Sequence, residues 1–143
     1  MSLGVRSIDA EHKHLIDFIG IIERAPIDKQ GRILSPKMFS TLRALLQQHF
    51  LHEEDLMYVI KYPKVSPHTI AHSSMLTTFD MLAVDFDQAG DPTPFIEFIT
   101  GWIVGHLKEY DMDLADFVNK LKQAKAQKIS PKKEKMPTVA FTR

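Results

Sequence analysis

Seven histidines lie at positions 12, 14, 49, 52, 68, 72 and 106 of this 143-residue chain, which contains no cysteine. The lack of cysteine removes disulfides, thiolate metal sites, iron–sulfur clusters and cysteine nucleophiles together, so any metal must be held by His, Asp or Glu. Residues four apart on a helix project almost in line, so His49 with Glu53, and His68 with His72, each present two metal-binding groups from one side. Both pairs fall among apolar residues: Leu42, Leu45, Leu46 and Leu56 around the first, Ile70, Met75, Phe79 and Leu82 around the second. A lone histidine in such a setting is usually a hydrogen-bonded core residue; a pair on each of two neighbouring helices is harder to explain without a metal.

His106 and Asp111 are five residues apart, nominally about 140° around a helix. They meet only if they approach a shared centre from either side. His12 supplies another imidazole from further upstream. A carboxylate inside a helical bundle is costly unless paired or bound to metal, so Glu53 and Asp111 need cations if they point inward. His14 lies about 200° from His12, and His52 about 100° from Glu53, so both are expected outside the ligand set. Glu54, Asp55, Glu109 and Asp113 are expected on a solvated face.

The elements that carry these residues are all helical. Apolar residues recur at three and four rather than two. Ile8, His12, Leu15, Ile16, Ile19 and Ile22 form a stripe over about residues 7–24, interrupted by Pro26. Ser35-Pro36, Ser66-Pro67 and Thr93-Pro94 each supply an N-cap followed by a proline at the first helical position, where its missing N–H costs nothing. They open helices over about 36–60, 67–88 and from 94 to 121 or beyond; Tyr62-Pro63 and Ala89-Gly90-Asp91-Pro92 close the second and third. Short connections between long helices predict an up-down-up-down antiparallel four-helix bundle, all-α.

The composition, 44% hydrophobic and 25% charged, is that of an ordinary globular domain. No apolar run is long enough to span a membrane, and no secretory signal is evident, so a cytoplasmic location is expected. The formal net charge of zero hides an uneven distribution: residues 1–121 hold 11 Lys/Arg against 17 Asp/Glu, while residues 122–143 hold 7 against 1. The expected organisation is one domain over 1–121 and a basic, flexible tail or linker over 122–143.

Five segments occur in one order: Ile8-Asp9-Ala10-Glu11-His12, His49-Phe50-Leu51-His52-Glu53-Glu54, Tyr62-Pro63, His68-x3-His72 and Trp102-x3-His106-x4-Asp111. Together they resemble the hemerythrins, specifically the bacterial ones, over most of residues 8–117. The resemblance implies a centre of two iron ions bridged by an oxo or hydroxo group. His68, His72 and His106 would hold one iron, His12 and His49 the other, and Glu53 and Asp111 would bridge them. It further implies reversible dioxygen binding at the iron with two histidines, as a carrier, store or delivery protein and not as an enzyme. The alternative is an oxygen- or redox-sensing domain acting through an output module or partner attached by the C-terminal tail. No nucleic-acid or membrane partner is implied. Phe50, Ile103 and Leu107 are the apolar residues expected beside the open position, as pocket walls or as plain core, and Trp102 is expected in the core, with a pocket wall as the alternative.

Overall fold

Ser35 starts its helix as the sequence predicts: its Oγ accepts the Met38 N–H at 3.3 Å, with Pro36 as the first helical residue. In the computed structural model, which describes residues 2–29, 31–32, 34–89 and 92–129, the helices are α1 (Arg6–Glu23), α2 (Pro36–Val59), α3 (Val65–Ala89), α4 (Thr93–His106) and α5 (Met112–Ile129). A π-helical turn, Leu107–Asp111, joins α4 to α5, and helical backbone angles persist across both junctions, so the three segments form one fourth rod.

The other two Ser/Thr-Pro signals mark helix starts but sit differently. Helix α3 begins at Val65, which puts Pro67 third in the first turn, where its missing N–H still has no partner to lose. Helix α4 begins at Thr93 itself, with Pro92 at the cap and Pro94 one residue inside. Helix α2 ends in a Schellman motif: Tyr62 N–H donates to Met57 O at 2.9 Å, Lys61 N–H donates to Tyr58 O at 3.2 Å, and Lys61 takes φ 56°. Tyr62 and Met57 complete it by packing in one apolar cluster.

Each helix packs against the next in sequence and α1 also meets α4, which is the up-down-up-down four-helix bundle. The α1–α2 connection contains a two-residue antiparallel ladder, Ile27–Asp28 (β1) against Gly31–Arg32 (β2), with Ile27 opposite Arg32. It is too short to leave an alternating signature. The N-terminal segment is tied down by Asp9, whose carboxylate accepts the Leu3 N–H at 2.5 Å and the Ser2 hydroxyl at 2.6 Å, so Leu3 is buried.

The interior is layered. One apolar cluster gathers Leu15, Ile19, Leu42, Leu46, Phe50, Phe79, Phe95 and Ile99; a second gathers Leu3, Ile8, Met57, Tyr62, Leu114 and Val118. Along α1 the order is Ile8, His12, Leu15, and along α2 Phe50, Glu53, Met57, so a polar layer lies between the clusters. Two residues assigned to apolar stripes fall outside them: Ile16, at the edge of its stripe about 80° from the line of its buried neighbours, and Ile70, on roughly the opposite face from its own, are exposed. Helix α5 runs eight residues beyond Leu121, and Lys122 donates to the Gly4 carbonyl. The first part of the expected tail is therefore exposed helix; residues 130–143 lie outside the described residues. No helix among the described residues is long and apolar enough to cross a membrane.

Candidate metal centre

The polar layer consists of His12, His49, Glu53, His68, His72, His106 and Asp111, all buried. All five histidines reach its centre through Nε2. On α3, the four-residue spacing stacks His68 and His72, and their Nε2 atoms lie 3.2 and 3.3 Å from Glu53 Oε2. On α2, the same spacing puts His49 Nε2 3.9 Å from that oxygen. His106 Nε2 lies 3.0 Å from His68 Nε2 and 3.1 Å from His72 Nε2.

His106 and Asp111 do not approach from opposite sides, as α-helical geometry predicts. The π turn closes with the Met112 N–H donating to the Leu107 carbonyl, five residues back, so one extra residue is held within the turn. That residue absorbs the angular offset and brings Asp111 beneath His106, with Nε2 to Oδ1 at 3.1 Å. Asp111 then faces two ways. Oδ1 is also 3.2 Å from His68, and Oδ2 is 3.2 Å from His12 on α1.

Two groups of possible metal donors result: Glu53 with His68, His72 and His106, and His12 with His49, Glu53 and Asp111. Within each group one donor atom per residue lies within 4.8 Å of all the others, and Glu53 belongs to both. Both oxygens of Glu53, both oxygens of Asp111 and both ring nitrogens of His12 are buried without a hydrogen bond, so the short approaches of the imidazoles to these two carboxylates are charge contacts without hydrogen-bond geometry. Buried polar atoms left in this state are costly. Cations between them would satisfy the lone pairs, and the imidazole and carboxylate donors suit iron, zinc, manganese or cobalt.

The electrostatics agree with a cation-seeking site. Burial pushes the Glu53 carboxyl up, but His68 and His72 outweigh it and hold the group at about 2. Burial acts likewise on Asp111, where His106, His12 and His68 outweigh it and keep the carboxyl far below the ordinary range. Burial pushes the His68 imidazole down, yet Asp111 and Glu53 raise it to about 9. Burial lowers His49 and His106. The surrounding imidazoles thus hold both carboxyls toward the ionised form in the interior.

A small cavity of about 20 Å³ lies beside His12, His49, His106 and Asp111, walled by Leu15, Leu46, Phe50, Trp102, Ile103 and Leu107. Phe50, Ile103 and Leu107 are among its walls, and Trp102 is both a wall and packed against the apolar core. Phe50 stacks on His72 at 4.0 Å between centroids, and Trp102 and Tyr110 stack on His106 at 4.3 and 5.1 Å. Tyr110 carried a sequence signal, four residues after His106, that the reading of the sequence did not use.

His14 and His52 are exposed and stand outside the layer, though His52 is not isolated. Its Nδ1 lies 2.5 Å from Glu11 Oε1, while Glu11 Oε2 is 3.4 Å from His49 Nδ1. Glu54 leaves the solvated face assigned to it: Oε1 accepts from His72 Nδ1 at 2.9 Å. Both contacts cross between helices, so no spacing within one helix reveals them.

Residues 3–118 match the family described as Hemerythrin HHE cation binding domain. This chain belongs to the hemerythrin family. It is similar to a bacteriohemerythrin of Clostridium acetobutylicum, 27% identical over 122 residues that cover 80% of this chain and 93% of the relative. It is also similar to a myohemerythrin of Sipunculus nudus, 28% identical over 107 residues that cover 73% of this chain and 77% of the relative. No solved structure matches. The family's cation-binding description agrees with the unsatisfied donors of the polar layer.

Proposed function

We propose that this protein binds dioxygen reversibly at a pair of non-haem iron ions, as a carrier, store or delivery protein and not as an enzyme. The observation that carries the reading is the pairing of two buried donor groups that share Glu53 with an apolar cavity lined by His12 and His49. His68, His72 and His106 would hold one ion, His12 and His49 the other, with Glu53 and Asp111 bridging. The two-faced contacts of Asp111 support that role. The group containing His12 and His49 has one histidine fewer, and the cavity lies on its side.

Two ferrous ions, with an oxo or hydroxo bridge, would supply the electrons and the open position that reversible dioxygen binding requires. The protein's own contribution is positioning and dryness. Leu46, Phe50, Trp102, Ile103 and Leu107 give the cavity an apolar wall, which disfavours water and external proton donors beside the centre. The stacked rings of Phe50, Trp102 and Tyr110 restrain two of the imidazoles against rotation.

Metal analysis combined with an anaerobic-to-aerobic optical titration tests the proposal. The expected result is two irons per chain and a visible band that appears in air and disappears under argon. One metal per chain, two zincs as isolated, or no response to dioxygen overturns it.

A further inference from the structure

Each donor group contains one imidazole whose outer nitrogen meets a carboxylate from a neighbouring helix. In the group with three histidines it is His72, held at Nδ1 by Glu54 at 2.9 Å from α2 to α3. In the group with two it is His49, held at Nδ1 by Glu11 at 3.4 Å from α1 to α2. The outer Nδ1 atoms of His12, His68 and His106 are buried with no hydrogen-bond partner among the described residues. A carboxylate at Nδ1 keeps the proton there, which leaves the Nε2 lone pair free to face the centre and makes that nitrogen more basic.

On the two-metal reading of the centre, we propose that Glu11 and Glu54 are positioning residues, each governing retention of a different one of the two metal ions. Glu54 fixes the tautomer and tilt of His72, whose ring is also clamped face-on by Phe50 at 4.0 Å. Glu11 does the same for His49, and its other oxygen is anchored by the surface residue His52 at 2.5 Å. Both carboxylates are partly exposed, with side chains at 20% and 27% of full accessibility, so either can be shortened without opening a hole in the core.

Zinc release from the full chain to a strong chelator tests the assignment, with zinc as the probe ion. Wild type should carry two zinc ions. Glu11→Ala and Glu54→Ala should each loosen one zinc by about 10- to 100-fold and leave the other at the wild-type rate. The double variant should loosen both. Glu11→Gln and Glu54→Gln keep an oxygen to accept the Nδ1–H and should recover most of the retention, with thermal unfolding of the metal-free chain unchanged throughout. If the double variant still keeps one zinc at the wild-type rate, both carboxylates act on one ion and the assignment is wrong. Unchanged release in both single variants, or lowered stability of the metal-free chain with both ions loosened, also overturns it. Fewer than two zinc ions in the wild type defeats the two-metal reading itself, a result distinct from all the others.

Discussion

The apolar clusters and the polar layer between them are built from the same helices, about one turn apart, and they work in opposite directions. In the clusters, Phe79, Phe95 and Leu42 are buried with apolar neighbours, and the burial of each stabilises the fold. In the layer, Glu53 and Asp111 are as deeply buried but lack hydrogen bonds, so their burial costs stability until cations reach them. The contrast shows that burial alone says little about a residue's purpose. The clusters pack the helices against one another, and that packing places the donors of the layer.

The largest expected effect lies in the layer. Glu53→Gln replaces the carboxylate common to both groups with a neutral amide that has a single, weaker oxygen donor and should abolish two-metal loading, while metal-free stability changes by less than it does for any large truncation in the clusters. Elemental analysis beside urea unfolding of the metal-free chain checks both halves; retention of two ions would break the comparison. In the clusters the expectation reverses. Phe79→Ala should cost about 3–5 kcal/mol of stability yet leave two ions bound under conditions where the variant is folded, read by the same two measurements.

The pH dependence of the metal-free chain sharpens the contrast. His68 is raised to about 9, so the stability it contributes is present in full below the unfolded value of about 6.5 and is lost as pH rises through 9. His49 and His106 are lowered, so the stability tied to their neutral forms is present above about 6.5 and is lost as pH falls through their folded values. Opposite signs predict a maximum near neutrality, measurable by urea unfolding from pH 5 to 9.5. A profile flat across that range would mean the layer does not couple to folding.

Smaller effects come from the edges of the two regions. Lys61 occupies the left-handed position that closes α2 beside the second cluster, so Lys61→Gly should raise stability by about 0.5–1 kcal/mol with metal loading unchanged, as thermal unfolding would show. The smallest expected effect is a null. Deleting the exposed Glu109 should let the π turn relax to an α turn in which His106 and Asp111 are spaced by four, with three residues between them, and stay on one face. Two ions should still bind; loss of one would show that the π geometry itself is required.

How much of this was legible depended on whether the signal was local. The four-residue spacings of His49 with Glu53 and of His68 with His72 need only helix geometry to interpret, and the structure brings both pairs into one layer. The five-residue spacing of His106 and Asp111 was equally visible but pointed the wrong way, because α-helical geometry was the wrong rule for that turn. Glu54 was placed on a solvated face because only its neighbour Glu53 shares a face with His49, and the contact to His72 exists only once α2 and α3 pack. Ile16 falls within the helical stripe of α1 by its four-residue spacing from His12 yet lies at the edge of the buried face, and Ile70 lies on the far side of α3, so both are exposed.

The sequence by itself determined that this chain forms helices, where most of them begin and end, and which imidazoles and carboxylates could share a helix face. Those properties follow from backbone geometry and capping over a few residues. Tertiary packing decided which faces meet, how Asp111 turns one oxygen toward His12 and the other toward His106, and which outer nitrogens find a carboxylate. Such contacts join residues far apart in sequence, and their distances are set by how whole helices pack.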